Sequence, residues 1–505
     1  MTSAPLTLFN SLTRAPEPFR PIDPRQARIY SCGPTVYNFA HLGNLRAYVF
    51  TDSLRRTLNW KGLSVNHVVN ITDVGHLTSD ADAGEDKMER AAAAEAKTAW
   101  DIAAFYTAAF KADLKALGVL APTLWSTATD HIQDMIAFAR AIEAGGHTYP
   151  LEGGLYFDTA TVPDYGRLAG TRADETIGRI AEVEGKRNAA DFAVWRASPP
   201  GERRQMEWQS PWGPGAPGWH LECSVMSLKY LGEQFDIHTG GIDHREIHHC
   251  NEIAQNQAFT GTSATGANIW MHNNFLVDRG GKMSKSKGGF ATLASLVDAG
   301  VHPLAYRLLC LSAHYRSELE FSADSLGAAL TRLKRLVMAV AALRAKAGDL
   351  PWLRLLTELP DGRGAAFAYQ RAALEADLPA PAHALLARFD EAIAADLNLP
   401  MALPLLDEAL ALPHAPEAVL RLVASMDLVL GLDLVRLDRA DLRVRPAAAT
   451  LTPDEVEARL DARAEARKAR DFAAADAARD ALKAAGVEIM DGDPLRWEWR
   501  VTLDA

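Results

Sequence analysis

Apolar positions along this chain fall into two periods. Ala27 to Cys32 (ARIYSC) is a short apolar run closed by Gly33-Pro34, the pattern of a buried strand. From His41 to Trp60 the spacing lengthens to helical apolar spacing, with Leu42, Leu45, Val49, Leu54 and Leu58. Val65 to Val74 is a second strand-like run. Strand, turn, helix and strand in that order predict a parallel βαβ unit. Glu89 to Leu117 reads as one alanine-rich helix, and Phe235–Thr239 and Ile269–Val277 as further strands. Residues from about 120 to 205 carry many turn signals (GGLYFDT, PDYGRLAG, PPGERR) and predict a mixed insertion. Beyond about residue 320 strands vanish, and Leu, Ala and Arg recur at helical spacing to about 438. Pro446 to Pro453 reads as a linker. The last 50 or so residues then read as a compact helical unit ending in Trp497-Glu498-Trp499.

The fold class is therefore α/β: a parallel-sheet core with a mixed insertion, then an all-helical bundle and a small C-terminal unit. A length of 505 residues suits several such units, and 48% apolar residues suffice for real cores. No run of about 18 apolar residues predicts a membrane span. Met1 to Arg20 lacks a signal-peptide pattern. The four cysteines, Cys32, Cys223, Cys250 and Cys310, are too few for a disulfide framework. These features predict a cytoplasmic protein with reduced thiols and no membrane partner. A net charge of -11 argues against nonspecific nucleic-acid binding, though not against one local basic surface.

Two strings carry candidate nucleotide chemistry. His41-Leu42-Gly43-Asn44 follows a strand and opens a helix, where free N–H groups and the helix dipole suit phosphate. Gly43 permits close approach of a nucleotide. Alone, this string is an ordinary helix start. The second is Gly280-Gly281-Lys282-Met283-Ser284-Lys285-Ser286-Lys287-Gly288-Gly289, a basic loop bracketed by glycines. Its lysines could neutralise charge developing on a triphosphate. The Walker A spacing fails, so a plain basic turn is its bland alternative.

Metal-type residues are scattered. His248 and Glu252 are four apart and share a face if IHHCNEIAQ is helical. With Cys32 and Cys223 they would make a plausible zinc site, although spacing alone cannot bring them together. Each cysteine by itself reads as a small core residue. His244-Arg245-Glu246-Ile247-His248 misplaces the glutamate of a metalloprotease helix. Asp80 to Asp86 fails the glycine position of a calcium loop and reads as a solvated acidic stretch.

Together HLGN and KMSKS resemble the HIGH and KMSKS signatures of class I aminoacyl-tRNA synthetases, with Leu42 and Asn44 as departures. That resemblance implies a Rossmann-type core and adenylate chemistry. YSCGPTVYNFAHLGN, NITD, GWHLECS, GGIDHREIHHCNEIAQ and GGKMSKS, in that order, resemble the cysteinyl-tRNA synthetase family over nearly the whole chain. The resemblance implies zinc, one ion per chain, on Cys32, Cys223, His248 and Glu252. It implies cysteine contacts at Gly33, Thr72 and Trp219, and an ATP contact at Lys285. His41, Gly43 and Asn44 are the candidates for the ATP phosphates, and Gly241 with Asp243 completes the ATP set, Asp243 as the candidate for the ribose hydroxyls. His41, Asn44, Lys282 and Lys285 take the catalytic roles. Where the family commonly has HHENE this chain has Cys250; about 200° round a helix from His248, it should face away from the metal.

The expected activity is attachment of cysteine to tRNA(Cys) through an adenylate, by a monomer using ATP with Mg2+. Zinc separates a thiol from serine's hydroxyl, which shape alone does poorly. The expected units are 1–119 and 206–265 (the two halves of the core), 120–205 (connective insertion), 266–320 (the KMSKS region), 321–445 (a helical tRNA-binding bundle) and 451–505 (an anticodon-binding unit). In the last, Arg459, Arg463, Arg467 and Arg470 would form a stripe facing RNA or paired with Glu457, Asp461 and Glu465, and Trp497 could stack on a base. The alternative activities are ligation of cysteine to an amino-sugar, as in mycothiol synthesis, and a non-catalytic zinc- or RNA-binding paralogue.

Overall fold

The structure is a computed structural model that describes residues 4–75, 87–95, 97–170, 183–199, 201, 204–278, 281–282, 292–358 and 364–501. Lys285 and the acidic stretch Asp80–Asp86 lie outside the described residues.

Five parallel strands form the central sheet: β1 (Gln26–Ser31), β2 (Ser64–Ile71), β3 (Leu124–Thr127), β4 (Phe235–Gly241) and β5 (Ala267–Asn273). Their spatial order is β5-β4-β1-β2-β3. The chain runs outward from β1 through β2 to β3, then restarts beside β1 with β4. The strand order thus reverses between β1 and β4, and in such sheets the crevice beyond the strand ends at that point is where ligands bind. Three helices border it: α1 (Leu42–Trp60), α2 (Trp219–Leu231) and α3 (His248–Thr260).

The insertion contributes an antiparallel sheet of Thr148–Leu151, Gly154–Phe157, Phe192–Ala197 and Gly215–Pro217. Two expected boundaries therefore shift. β3 carries the core past residue 119, because Val68–Ile71 pairs with Leu124–Thr127, and the insertion's last strand lies beyond 205. The expected helix Glu89–Leu117 is two, Lys87–Glu95 and Ala99–Ala116. The second restarts at Thr98, whose hydroxyl caps Asp101 N while the Asp101 carboxylate returns to Thr98 N. The expected strand Ile269–Val277 is likewise broken, between β5 and Leu276–Asp278.

From Ala323 to Leu430 the regular elements of the described residues are all helices, with prolines opening those at Pro404 and Pro416. This bundle is continuous with the catalytic core. Leu42 and Leu45 of α1, Leu304 and Leu308 of the helix Pro303–Leu311, and Leu333 and Leu422 of the bundle share one apolar cluster. The terminal unit has its own core of Leu451, Val456, Leu460, Leu482, Val487, Trp497 and Trp499.

The terminal unit departs from expectation. Strands do not vanish: Val487–Ile489 pairs antiparallel with Trp497–Trp499. Trp497 is fully buried, donates its indole N–H to Glu457 at 2.6 Å, and packs under Arg443, so it offers no face to a base. The arginine stripe also breaks. Its helix ends at Lys468, and Arg470 takes a left-handed conformation beyond it. Arg463 holds Asp491 with both nitrogens, at 2.7 and 2.8 Å. Glu457 and Asp461 instead pair with Arg496.

Candidate active site and metal centre

A cleft of about 510 Å³ opens at the switch point. Its wall draws on the segment after β1 (Cys32 to His41), the start of α1, the end of β4 with Asp243, Trp219 and Cys223 of α2, and Asn273 to Leu276 after β5.

The string HLGN forms a reciprocal cap. His41 Nδ1 accepts from Asn44 N at 3.2 Å, and Asn44 Oδ1 accepts from His41 N at 3.3 Å. A Cβ on Gly43 would lie 3.0 Å from the His41 ring, so glycine is what lets the histidine fold over its own helix start. Backbone pairing brings the described flank of the second signature to the first. His41 bridges Thr292, the first described residue after the lysine string, and Gly281–Lys282 pairs with Val277–Asp278, which follows the cleft wall.

Cys32, Cys223, His248 and Glu252 converge, with one ligand-type atom from each lying within 4.8 Å of the others. Sequence distance hid this; topology supplies it. Cys32 follows β1, Cys223 is in the second turn of α2, and His248 and Glu252 are one turn apart on α3. Three of the four are fully buried. His248 Nε2 lies 3.0 Å from Glu252 Oε1, yet no partner is in hydrogen-bond geometry with it. A buried ring nitrogen left without a hydrogen-bond partner beside a carboxylate oxygen is what two ligands to one ion show. The other ring nitrogen of His248 is held by His220 at 2.9 Å, and the second Glu252 oxygen by His238 at 2.9 Å. Such supports orient the ligands of a metal.

A second grouping, Cys32, His238, His249 and Glu252, also lies within 4.8 Å. Its histidine Nε2 atoms are already engaged: His238 Nε2 pairs with Glu252, and His249 Nε2 lies 3.3 Å from Cys32 Sγ while its Nδ1 meets His272. We read it as the supporting layer of the first. Two sulfurs, an imidazole and a carboxylate suit tetrahedral zinc.

Protonation follows the same logic. Burial pushes the Cys32 thiol well up, and its shared hydrogen bond with Cys223 keeps the proton there. Burial alone would raise Cys223 too, but the Cys32 hydrogen bond and the charge on His248 bring it down to about 6. Against burial, His238 and His248 hold Glu252 at about 2. Glu252 and Cys223 together raise His248 to about 10. Two negative groups, Cys223 and Glu252, thus share one buried point with a single positive imidazole, His248.

Of the residues expected to meet cysteine, the structure brings Gly33 and Trp219 to the cleft and keeps Thr72 one layer back. A Cβ on Gly33 would sit 1.5 Å from the Asn70 carbonyl oxygen, so only glycine fits there. Gly33 N donates to the Asn70 side chain at 2.6 Å. The Trp219 ring lies 4.1 Å from that of His248. The Thr72 hydroxyl donates to Glu222 at 2.8 Å and accepts from Asn70 at 3.1 Å. Burial and the neighbouring Cys223 raise Glu222 well above the usual carboxylate range. Gly241 and Asp243 line the cleft. Cys250 faces away from the cluster, with its Sγ donating to the Arg245 carbonyl at 3.3 Å.

Sequence reasoning missed Glu222, although it stands beside Cys223 in GWHLECS, and the supporting histidines His220, His238, His249 and His272. A histidine-rich stretch was visible at 244–249; His220, His238 and His272 stood apart from it in sequence. It also missed Arg46, taken up below.

The profile described as tRNA synthetases class I (C) catalytic domain matches residues 18–331, and that described as cysteinyl-tRNA ligase anticodon binding domain matches 450–500. The cysteine–tRNA ligase of Zymomonas mobilis is 65% identical, covering 100% of this chain and 99% of its own. That of Novosphingobium aromaticivorans is 58% identical over 99% and 98%. The methionyl-tRNA synthetase of Mycobacterium tuberculosis, solved with methionyl-adenylate, superposes with a TM-score of 0.50 at 15% identity over 89% of this chain and 96% of its own, a likeness of fold. Among the described residues no helix is long and apolar enough to cross a membrane.

Proposed function

The chain belongs to the cysteine–tRNA ligases of class I, and from that premise we propose how its cleft performs the reaction. The enzyme activates cysteine with ATP and transfers it to tRNA. The observation that carries the reading of specificity is the convergence of Cys32, Cys223, His248 and Glu252, three of which (Cys32, Cys223 and His248) line the same cleft as His41. We assign these four residues to one zinc ion. Bound there, zinc supplies a soft Lewis acid that accepts a thiolate far better than an alcohol.

The remaining steps belong to the chain's own groups. A cysteine lying along Gly33 and against Trp219 directs its carboxylate toward the α1 start. Its oxygen attacks the α-phosphorus of ATP; that P–O bond forms as the bond to pyrophosphate breaks. His41 and Asn44, with the free N–H groups of the α1 start, take phosphate oxygens, and Gly43 lets them approach. Asp243, beyond Gly241, accepts from ribose hydroxyls. Lys282 and Lys285 offset the charge that develops as pyrophosphate leaves. The terminal ribose hydroxyl of the tRNA then attacks the adenylate carbonyl, and AMP departs. Thr72, tied to Glu222, acts from behind by fixing the strand end that faces Gly33. We place the reaction in the cytoplasm, with Mg2+ on ATP and a monomeric enzyme.

Ligation to an amino-sugar is disfavoured by full-length relatives named cysteine–tRNA ligase and by the anticodon-binding match at 450–500. The deciding experiment is ATP–pyrophosphate exchange across the amino acids, with metal analysis of the same sample. Exchange with cysteine and one zinc per chain is expected; exchange with another amino acid would defeat the reading.

The terminal unit makes a separate prediction. It has its own core and is joined to the bundle by Lys334–Glu498 and Arg439–Glu498. Deleting residues 451–505 should impair tRNA charging while leaving pyrophosphate exchange near the wild-type rate. Equal loss of both would make the unit a folding element instead.

A further inference from the structure

Arg46 lies one turn into α1 and is 2% exposed. Its guanidinium meets four backbone carbonyls. One nitrogen donates to Asn274 at 2.9 Å and to Phe275; the other donates to Ser317 at 2.6 Å and to His314 at 3.4 Å. Among the described residues no carboxylate pairs with it. A buried cation without a carboxylate is costly, and a pair of loops could be joined by neutral donors at less expense. The fork's shape explains the choice, since its fixed planar donors can span carbonyls from separate segments as no single-nitrogen side chain can.

The carbonyls belong to a particular place. Asn274 and Phe275 line the same cleft as His41 and Asn44. Phe275 leads into Leu276–Asp278, which pairs with Gly281–Lys282 on one side and with Leu319–Glu320 on the other. His314 and Ser317 lie just before that last strand, and Leu319 N donates to the same Phe275 carbonyl. Arg46 therefore sits at the root of the three-stranded sheet that leads into the lysine string. A second tie runs parallel: Tyr306, fully buried, donates its hydroxyl to the Leu42 carbonyl at 2.6 Å. The Arg46 tie joins α1 to the Asn274–Phe275 wall of the cleft, and the Tyr306 tie fixes the start of α1 to the helix Pro303–Leu311.

We propose that Arg46 is a positioning residue for adenylate formation, holding the Asn274–Phe275 wall and the root of the lysine-bearing sheet at a set distance from His41 and Asn44, with Tyr306 as its second tie. This rests on the ligase reading above. It predicts a defect in the rate of the chemical step, because misplacing reacting groups by about 1 Å costs roughly 100-fold in rate. Cysteine, held at the far end of the cleft, should bind as before.

The test uses full-length, metal-loaded enzyme. Arg46→Lys keeps the charge but concentrates it on one nitrogen. In cysteine-dependent pyrophosphate exchange its kcat should fall about 100-fold, with KM for cysteine, zinc content and circular dichroism unchanged. Tyr306→Phe removes one hydrogen bond and should lower kcat roughly 3- to 10-fold with the same unchanged KM for cysteine. That conservative variant decides the matter if Arg46→Lys does not fold. A kcat within about 2-fold of wild type in a folded variant, or a loss shared equally with cysteine binding, overturns the proposal. Wild-type enzyme without cysteine-dependent exchange would instead overturn the ligase reading.

Discussion

Replacing Cys223 with serine should remove the metal and, with it, cysteine activation. The expected loss in kcat/KM for cysteine-dependent exchange exceeds about 100-fold, the upper end for merely disturbing a group that supports a metal ligand. Cys223 is fully enclosed beside His248 and Glu252, so serine would present a hydroxyl where the site has a thiolate near neutral pH. The ligand set would become harder and less suited to zinc. Selectivity should fall with affinity. A pocket that sorts near-isosteric side chains by shape alone reaches only about 100-fold, so preference for cysteine over serine should drop to that level or below. Chelation of wild-type enzyme should give the same two changes, reversed by added zinc. By contrast, His238→Asn, which disturbs only the second Glu252 oxygen, should cost about 10- to 100-fold in metal affinity. Stoichiometric zinc and full activity in Cys223→Ser would remove this residue from the metal site.

How much of this was legible in the sequence differs between elements. The order of strands and helices around β1, α1 and β2 could be read from apolar spacing, because each period is a local property. The metal quartet could not be read that way. Its members lie between residues 32 and 252 and meet only because β4 returns beside β1 and sets α2 and α3 over the same sheet end. Family resemblance, not spacing, named them. Thr72 came from the same resemblance, and spacing did not show that its hydroxyl meets Glu222 and Asn70. Trp497 shows a limit. Two tryptophans near an arginine-rich helix suggest stacking on RNA, yet a unit this small has few apolar residues, and it spends both on its core. Arg46 was invisible because its partners are backbone carbonyls, which leave no trace in a pattern of side chains.

The largest stability effect should fall on Asp52, outside the cleft. Its carboxylate is fully enclosed and receives Arg307 at 2.5 Å, Arg56 at 2.7 Å and the Leu120 backbone N–H at 2.9 Å. The two arginines spend their remaining donors on Leu117, Gly118, Leu428 and Leu430 carbonyls. One buried acid thus joins α1, the end of the Ala99–Ala116 helix, the helix Pro303–Leu311 and the bundle. Removing one partner of a buried pair leaves the other charge uncompensated, at about 3–5 kcal/mol; Asp52→Ala should cost that much, read from the urea midpoint. Asp52→Asn should cost nearly as much, since it keeps the shape but not the charge. The double variant Asp52→Leu with Arg307→Met should recover part of the loss, because both of its charges leave together. The pH dependence has a definite sign. Burial opposes ionisation of Asp52, but Arg56 and Arg307 prevail and hold its pKa at about 2, below its ordinary value of 3.8. Its contribution is therefore complete above that ordinary value and is lost as pH falls through about 2. The difference between wild type and Asp52→Asn should shrink over the same interval. An Asp52→Ala variant within about 1 kcal/mol of wild type, the range of an exposed ion pair, would mean that the two arginines are satisfied by carbonyls alone, and that the bundle and the catalytic core are held together by their shared apolar cluster rather than by this charge.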